Sequence, residues 1–120
     1  DLSHNEYDEI PADIFYNTTK LKSISLMGTN LKDLPANLFA TTFDITSLKL
    51  SRNQLKTIGE ETFFSTPKMK SIDLSHNKIE KLPARIFSHN TKLANVDLSS
   101  NRLTSLPGNL FEYNPSLLKL

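Results

Sequence analysis

Apolar positions recur along this chain with a strict period of 24 residues. Leu2, Leu26, Leu50, Leu74 and Leu98 form one column, and Phe15, Phe39, Phe63, Phe87 and Phe111 form another. Between them run Tyr7, Leu31, Leu55, Ile79 and Leu103, then Ile10, Leu34, Ile58, Leu82 and Leu106. A further pair of columns opens each unit: Leu21, Ile45, Met69, Leu93 and Leu117, with Ile24, Leu48, Ile72, Val96 and Leu120 three residues on. No insertion or deletion interrupts any column. Residues two apart, such as Ile24 and Leu26, share one face of an extended chain, so each unit predicts one short strand. A unit of this length cannot bury its own apolar side. Strands of successive units are therefore expected to pair in parallel, and the Leu and Phe columns to stack into one continuous core.

The polar positions punctuate the same period. Asn5, Asn53, Asn77 and Asn101 fall where each strand should end. An amide there both donates to and accepts from backbone groups that have left the strand ladder, so the stacked asparagines are expected to form a ladder of their own. Thr29 replaces asparagine in one unit and is followed by Asn30, which predicts a looser turn at that point. Pro11, Pro35, Pro83 and Pro107 follow the next apolar column, with Gly59 at the equivalent place. Their fixed φ suits turn or extended backbone, so the side opposite the strands should be irregular, with at most short helical turns.

Written as L-x-x-L-x-L-x-x-N-x-L-x-x-L-P-x-x-L-F, the unit resembles the leucine-rich repeat family over all 120 residues. That resemblance implies an α/β solenoid: a curved array with a parallel sheet on the concave face and an irregular or short-helix convex side. Residues 1–120 then make a single domain of about five repeats, starting at 21, 45, 69, 93 and 117. The chain begins inside one repeat and ends within the strand Leu117-Leu118-Lys119-Leu120, which reads as an uncapped fragment of a longer array.

Composition narrows the function by exclusion. A formal charge of +1 supplies no long-range field, and no apolar stretch approaches the roughly 20 residues that cross a bilayer. Any membrane link would lie in absent parts of the parent chain. With no cysteine there is no thiolate nucleophile and no cysteine-based metal site. Residues 1 to 16 carry Asp1, Glu6, Asp8, Glu9 and Asp13 with no Lys or Arg, so the chain is electrically lopsided. Lys20, Lys22, Lys68, Lys70 and Lys92 could line one flank, but Asp44 interrupts the column and no aromatics interleave, so nucleic acid is not an expected partner.

Two constellations invite a sharper chemical reading. Asp73, Ser75 and His76 contain the residue types of a hydrolytic triad. The string Asp-Leu-Ser-His-Asn, however, occurs at both 1–5 and 73–77, which repetition explains and unique catalysis does not. No glycine-rich turn is present to build an oxyanion hole, so the chain is not expected to be an enzyme. His4 and His76 are three repeats apart, about 14 Å at the usual strand spacing, too far to share one metal ion. Glu60-Glu61 reads as a solvated turn. No cofactor is implied.

The strand residues flanking the apolar columns, from Lys22 to Ser100 and including Ser51 and Ser75, should face the concave side. Among them Lys49, Arg52, Asp73, His76, Asn95 and Asp97 are the candidates for contact with a protein partner. Asn17-Thr18-Thr19 is a sequon on the outer side of the coil, where a glycan would leave the concave face open. The Leu-Pro and Leu-Phe endings of Leu34-Pro35-Ala36-Asn37-Leu38-Phe39, with Leu98 to Pro107, Ile86 to Leu93 and Leu106 to Glu112, are similar to the ectodomains of insect Toll receptors. This implies an extracellular receptor segment in innate immunity or development that binds a Spätzle-type cystine-knot cytokine and dimerises. A secreted immune or matrix binding protein, and a structural spacer within a larger ectodomain, are the alternatives.

Overall fold

The computed structural model describes residues 1–6 and 9–118. The expectations placed on Tyr7, Asp8 and Leu120 lie outside the described residues. Four three-residue strands, β1 (Ser23–Ser25), β2 (Ser47–Lys49), β3 (Ser71–Asp73) and β4 (Asn95–Asp97), form one sheet in sequence order. All neighbours are parallel, and each residue pairs with the one 24 positions on, as in Ile24↔Leu48 and Ile72↔Val96. The sequence period is thus the sheet register. Alternation appears as expected: Ile24, Leu48, Ile72 and Val96 are buried at the middle of their strands, and Leu26, Leu50 and Leu74 are fully buried just beyond them.

The strands are short because the chain turns immediately afterwards. His4, Gly28, Arg52, His76 and Ser100 all take a left-handed conformation, with φ between 55° and 67°, one residue ahead of each asparagine or Thr29. Four of these five are not glycine, so each stores local strain that the stacked repeats must offset. At Gly28 the glycine is also needed for space, since a Cβ would stand 3.0 Å from the His4 imidazole of the preceding repeat. The Thr29 turn is not loose. Thr29 is fully buried and its hydroxyl lies 2.8 Å from the Leu26 carbonyl, while Asn30 takes a second left-handed conformation at φ 61° found in no other repeat.

Opposite the sheet, each repeat returns through a chain of turns, with no helix among the described residues. Pro11, Pro35, Pro83 and Pro107 each start this return by accepting from the amide three residues later, and Gly59 does the same through Thr62. The Thr62 hydroxyl also donates to the Gly59 carbonyl at 2.8 Å, so the two departures from the Pro and Leu columns compensate one another. Phe15, Phe39, Phe63, Phe87 and Phe111 stack as a file of rings with centroids 6.1 to 6.2 Å apart. Parallel strands lie only about 4.8 Å apart, so each repeat is a wedge, thinner at the sheet than at the rings, and the array bends toward the sheet.

Candidate binding surface

The inner face of the sheet carries a shallow groove of about 350 Å³. Its lining side chains are Ser47, Lys49, Ser71, Asp73, Asn95 and Asp97, while Leu48, Ile72 and Val96 between them are buried in the core. Register arranges these as two rows, Ser47-Ser71-Asn95 and Lys49-Asp73-Asp97. Four of the six candidate residues, Lys49, Asp73, Asn95 and Asp97, therefore meet in one groove. Arg52 and His76 do not line it: they are exposed on the left-handed turns at its rim. Asn17 is exposed on the back of the coil.

Ser51 and Ser75 depart from the expected exposed face. They are 2% and 5% exposed, because the preceding repeat packs over them: Ser51 accepts from Gly28 N, and Ser75 from Arg52 N, through their carbonyls. The Ser75 hydroxyl donates to Asp73 Oδ1 at 2.6 Å, and the Ser75 amide donates to the same oxygen at 3.0 Å. Asp1 with Ser3, and Asp97 with Ser99, repeat this arrangement. The Asp-Leu-Ser string is therefore a turn lock that recurs, with the serine proton directed at a carboxylate rather than an imidazole. One oxygen of Asp73 is committed to that lock, which fixes the side chain and presents the rest of the carboxylate to the groove.

The turn asparagines close the sheet's outgoing edge. Asn53 Nδ2 donates to the carbonyls of Leu26, Leu50 and Ser51, and its Oδ1 accepts from the amides of Thr29 and Leu31 at 3.0 and 2.9 Å. Asn77 and Asn101 donate in the same pattern, to Leu50 and to Leu74 of the preceding repeat, at 3.0 and 2.9 Å. Asn5 bonds the Leu2 and Ser3 carbonyls of its own repeat.

A second polar column on the back was missed in the sequence. Thr18, Thr42 and Thr66 each donate a hydroxyl to the carbonyl of the spine phenylalanine three residues before. Asn90 and Asn114 take over this position and reach one repeat further, donating to Phe63 and Thr66 and to Phe87 and Asn90 respectively. Their Oδ1 atoms are buried without a protein partner. The signal was present as a polar column at the 24-residue interval, hidden by its change of residue type.

Electrostatics centre on the flank where the strands begin. Lys68 Nζ lies 2.8 Å from Asp44 Oδ1, the one ion pair among the described residues. The hydrogen bond from Lys68, then its charge, hold the Asp44 carboxyl below its ordinary 3.8 against a small opposing effect of desolvation, with Lys22 and Lys20 adding to the depression. A depressed folded pKa means the pair stabilises the fold above the ordinary carboxyl range and ceases to do so as pH falls through the folded value. Because the pair is exposed, the contribution is small. Replacing Lys68 with alanine should move the Asp44 titration midpoint up toward 3.8, measured by carbon-detected NMR on the carboxyl; an unchanged midpoint would remove the lysine as the cause.

The BspA type leucine-rich repeat region matches residues 5–120 in six copies. No curated protein is matched by the sequence alone. Among solved structures, the chain is similar to the leucine-rich repeat domain of APL1B at 29% identity and TM-score 0.90, covering 98% of this chain and 35% of that one. It is also similar to a chain of the Drosophila Toll–Spatzle complex at 32% identity and TM-score 0.84, covering 92% of this chain and 15% of that one. TLR13, solved in complex with ssRNA13, matches at 29% identity and TM-score 0.92, over 98% of this chain and 17% of that one. The exclusion of nucleic acid drawn from the low net charge and the interrupted lysine column thus finds no support among these solved structures. This chain spans about a third or less of the length of these three solved chains. The 24-residue period, the parallel register and the amide ladder are all properties of one repeating unit, and the chain belongs to the leucine-rich repeat family.

Proposed function

We propose that this chain is a protein-recognition segment of a Toll-like receptor ectodomain, extracellular and active in innate immune or developmental signalling. The observation that carries the reading is the inner groove, where Lys49, Asp73, Asn95 and Asp97 from three adjacent strands meet. Such a surface offers charge of both signs, with the Asp73 carboxylate held in place, which gives orientation and specificity to a protein contact. Similarity to the Drosophila Toll chain supports the receptor context, and a Spätzle-type cytokine is the partner to test first. Arg52 and His76 at the rim would extend the contact. Asn17, exposed on the opposite side, would carry a glycan clear of it.

The likeness to APL1B favours a second reading, in which the parent is a secreted immune binding protein with no signalling domain. The test is surface plasmon resonance of the full chain, and of the parent ectodomain, against a processed Spätzle-type cytokine. The receptor reading expects binding that weakens about tenfold when Lys49 and Asp73 are both replaced by alanine, the loss typical of one or two contact residues. Binding by the parent but not by the chain would make this segment a spacer. Binding by neither would overturn the Toll assignment.

A further inference from the structure

We propose that the flank where the strands begin is a docking surface for a sulfated polysaccharide, separate from the inner groove. Backbone bonds fix its layout. Thr46 N donates to Lys22 O, Lys70 N to Thr46 O and Ala94 N to Lys70 O, each at 2.8 Å, so Lys22 and Lys70 stand two repeats apart, roughly 10 Å along the array. Lys20, Asp44, Lys68 and Lys92 form the parallel row two residues earlier. All five lysines are exposed. Asp44, which in sequence interrupts the stripe, does not interrupt it in space: Lys68 neutralises its carboxylate at 2.8 Å, leaving Lys20, Lys22, Lys70 and Lys92 outside any ion pair among the described residues.

The chain's formal charge is only +1, so this concentration on one edge is a local field that the composition conceals. The carboxylate on the neighbouring sheet face, Asp73, is fixed by its serine lock and would repel a polyanion from the groove, which confines it to the edge. The cations are all lysines, point charges on flexible stems without the rigid fork of arginine. That favours a ligand with repeated single anionic groups along its length over one fixed bidentate partner. Phe43, half exposed and next to Asp44 in the chain, adds one apolar ring against which a sugar ring can lie. A single-stranded nucleic acid would need a succession of such rings for its bases, and no aromatic residue adjoins Lys22, Lys70 or Lys92 in the chain.

Heparin is the probe. The full chain should bind it at about 0.15 M salt, with affinity falling as salt rises. Replacing Lys20, Lys22, Lys70 and Lys92 together by glutamine should weaken heparin binding about tenfold more than the charge-matched replacement of Lys32, Lys81, Arg85 and Arg102, which are spread over other parts of the chain, because only the first set removes the field of this flank. Lys68 is kept in both variants so that Asp44 stays neutralised, and circular dichroism verifies that both fold. Equal weakening by the two variants, or no binding of the native chain, overturns the surface. Tighter binding of polyuridylate than of heparin overturns the polysaccharide and assigns the flank to nucleic acid.

Discussion

Replacing Phe63 with alanine should cost about 4 kcal/mol of stability, the range found for truncating a fully buried phenylalanine. Phe63 is fully buried at the middle of the ring file, 6.1 Å from Phe39 and 6.2 Å from Phe87. Its loss removes both ring contacts and opens a cavity that the neighbours cannot close, because their positions are set by the strand register on the other side of each repeat. The same truncation at Phe111, which is only partly buried and stacks on Phe87 alone among the described residues, should cost clearly less. Urea unfolding of the two variants measures the difference. Equal losses would show that the rings contribute singly, as buried area, and not as a file.

The second large effect is at Asn53. Alanine there leaves the amides of Thr29 and Leu31 without their partner in a buried turn, while the Leu26 carbonyl keeps only the Thr29 hydroxyl, and should cost about 3 kcal/mol, since each unsatisfied buried group costs about 1 to 3. Aspartate is the sharper test. It matches asparagine in shape and keeps an acceptor for the Thr29 and Leu31 amides, but it turns a second anionic oxygen toward three carbonyls. The variant Asn53→Asp should therefore lose at least as much stability as Asn53→Ala at neutral pH and recover part of it on acidification, when the protonated acid donates one bond. Thermal melts at pH 7 and pH 4 decide it. An Asn53→Asp variant as stable as the native chain would mean that the donor side of the amide is idle.

The sheet, its register and the ring file were legible because apolar burial repeats at one interval without a gap: Leu26, Leu50 and Leu74 announce themselves by chemistry alone. The left-handed turn before each asparagine was not, because His4, Gly28, Arg52, His76 and Ser100 share a backbone conformation and no side-chain property. The back column of Thr18, Thr42, Thr66, Asn90 and Asn114 was hidden for the opposite reason, since hydroxyl and amide serve the same phenylalanine carbonyls. At the candidate groove, the exposure of Lys49 and Asp97 followed from alternation, whereas the burial of Ser51 and Ser75 depends on the stacked neighbouring repeat, which no single unit encodes. The neutralised Asp44 belongs to the same class: its partner is 24 residues away, and a column read as broken is continuous in space.

Among the described residues, the inter-repeat bonds of the two amide columns span a near-constant distance in sequence, 22, 24 or 27 residues. Excising or duplicating one whole period would therefore deliver each asparagine, ring and carbonyl to an equivalent partner, whereas removing 23 residues would misalign them all. The identical cassettes at 1–5 and 73–77 are what such copying leaves behind. Length in this architecture is a heritable variable that changes in whole steps, and a lineage could lengthen or shorten its arc without inventing a single new contact.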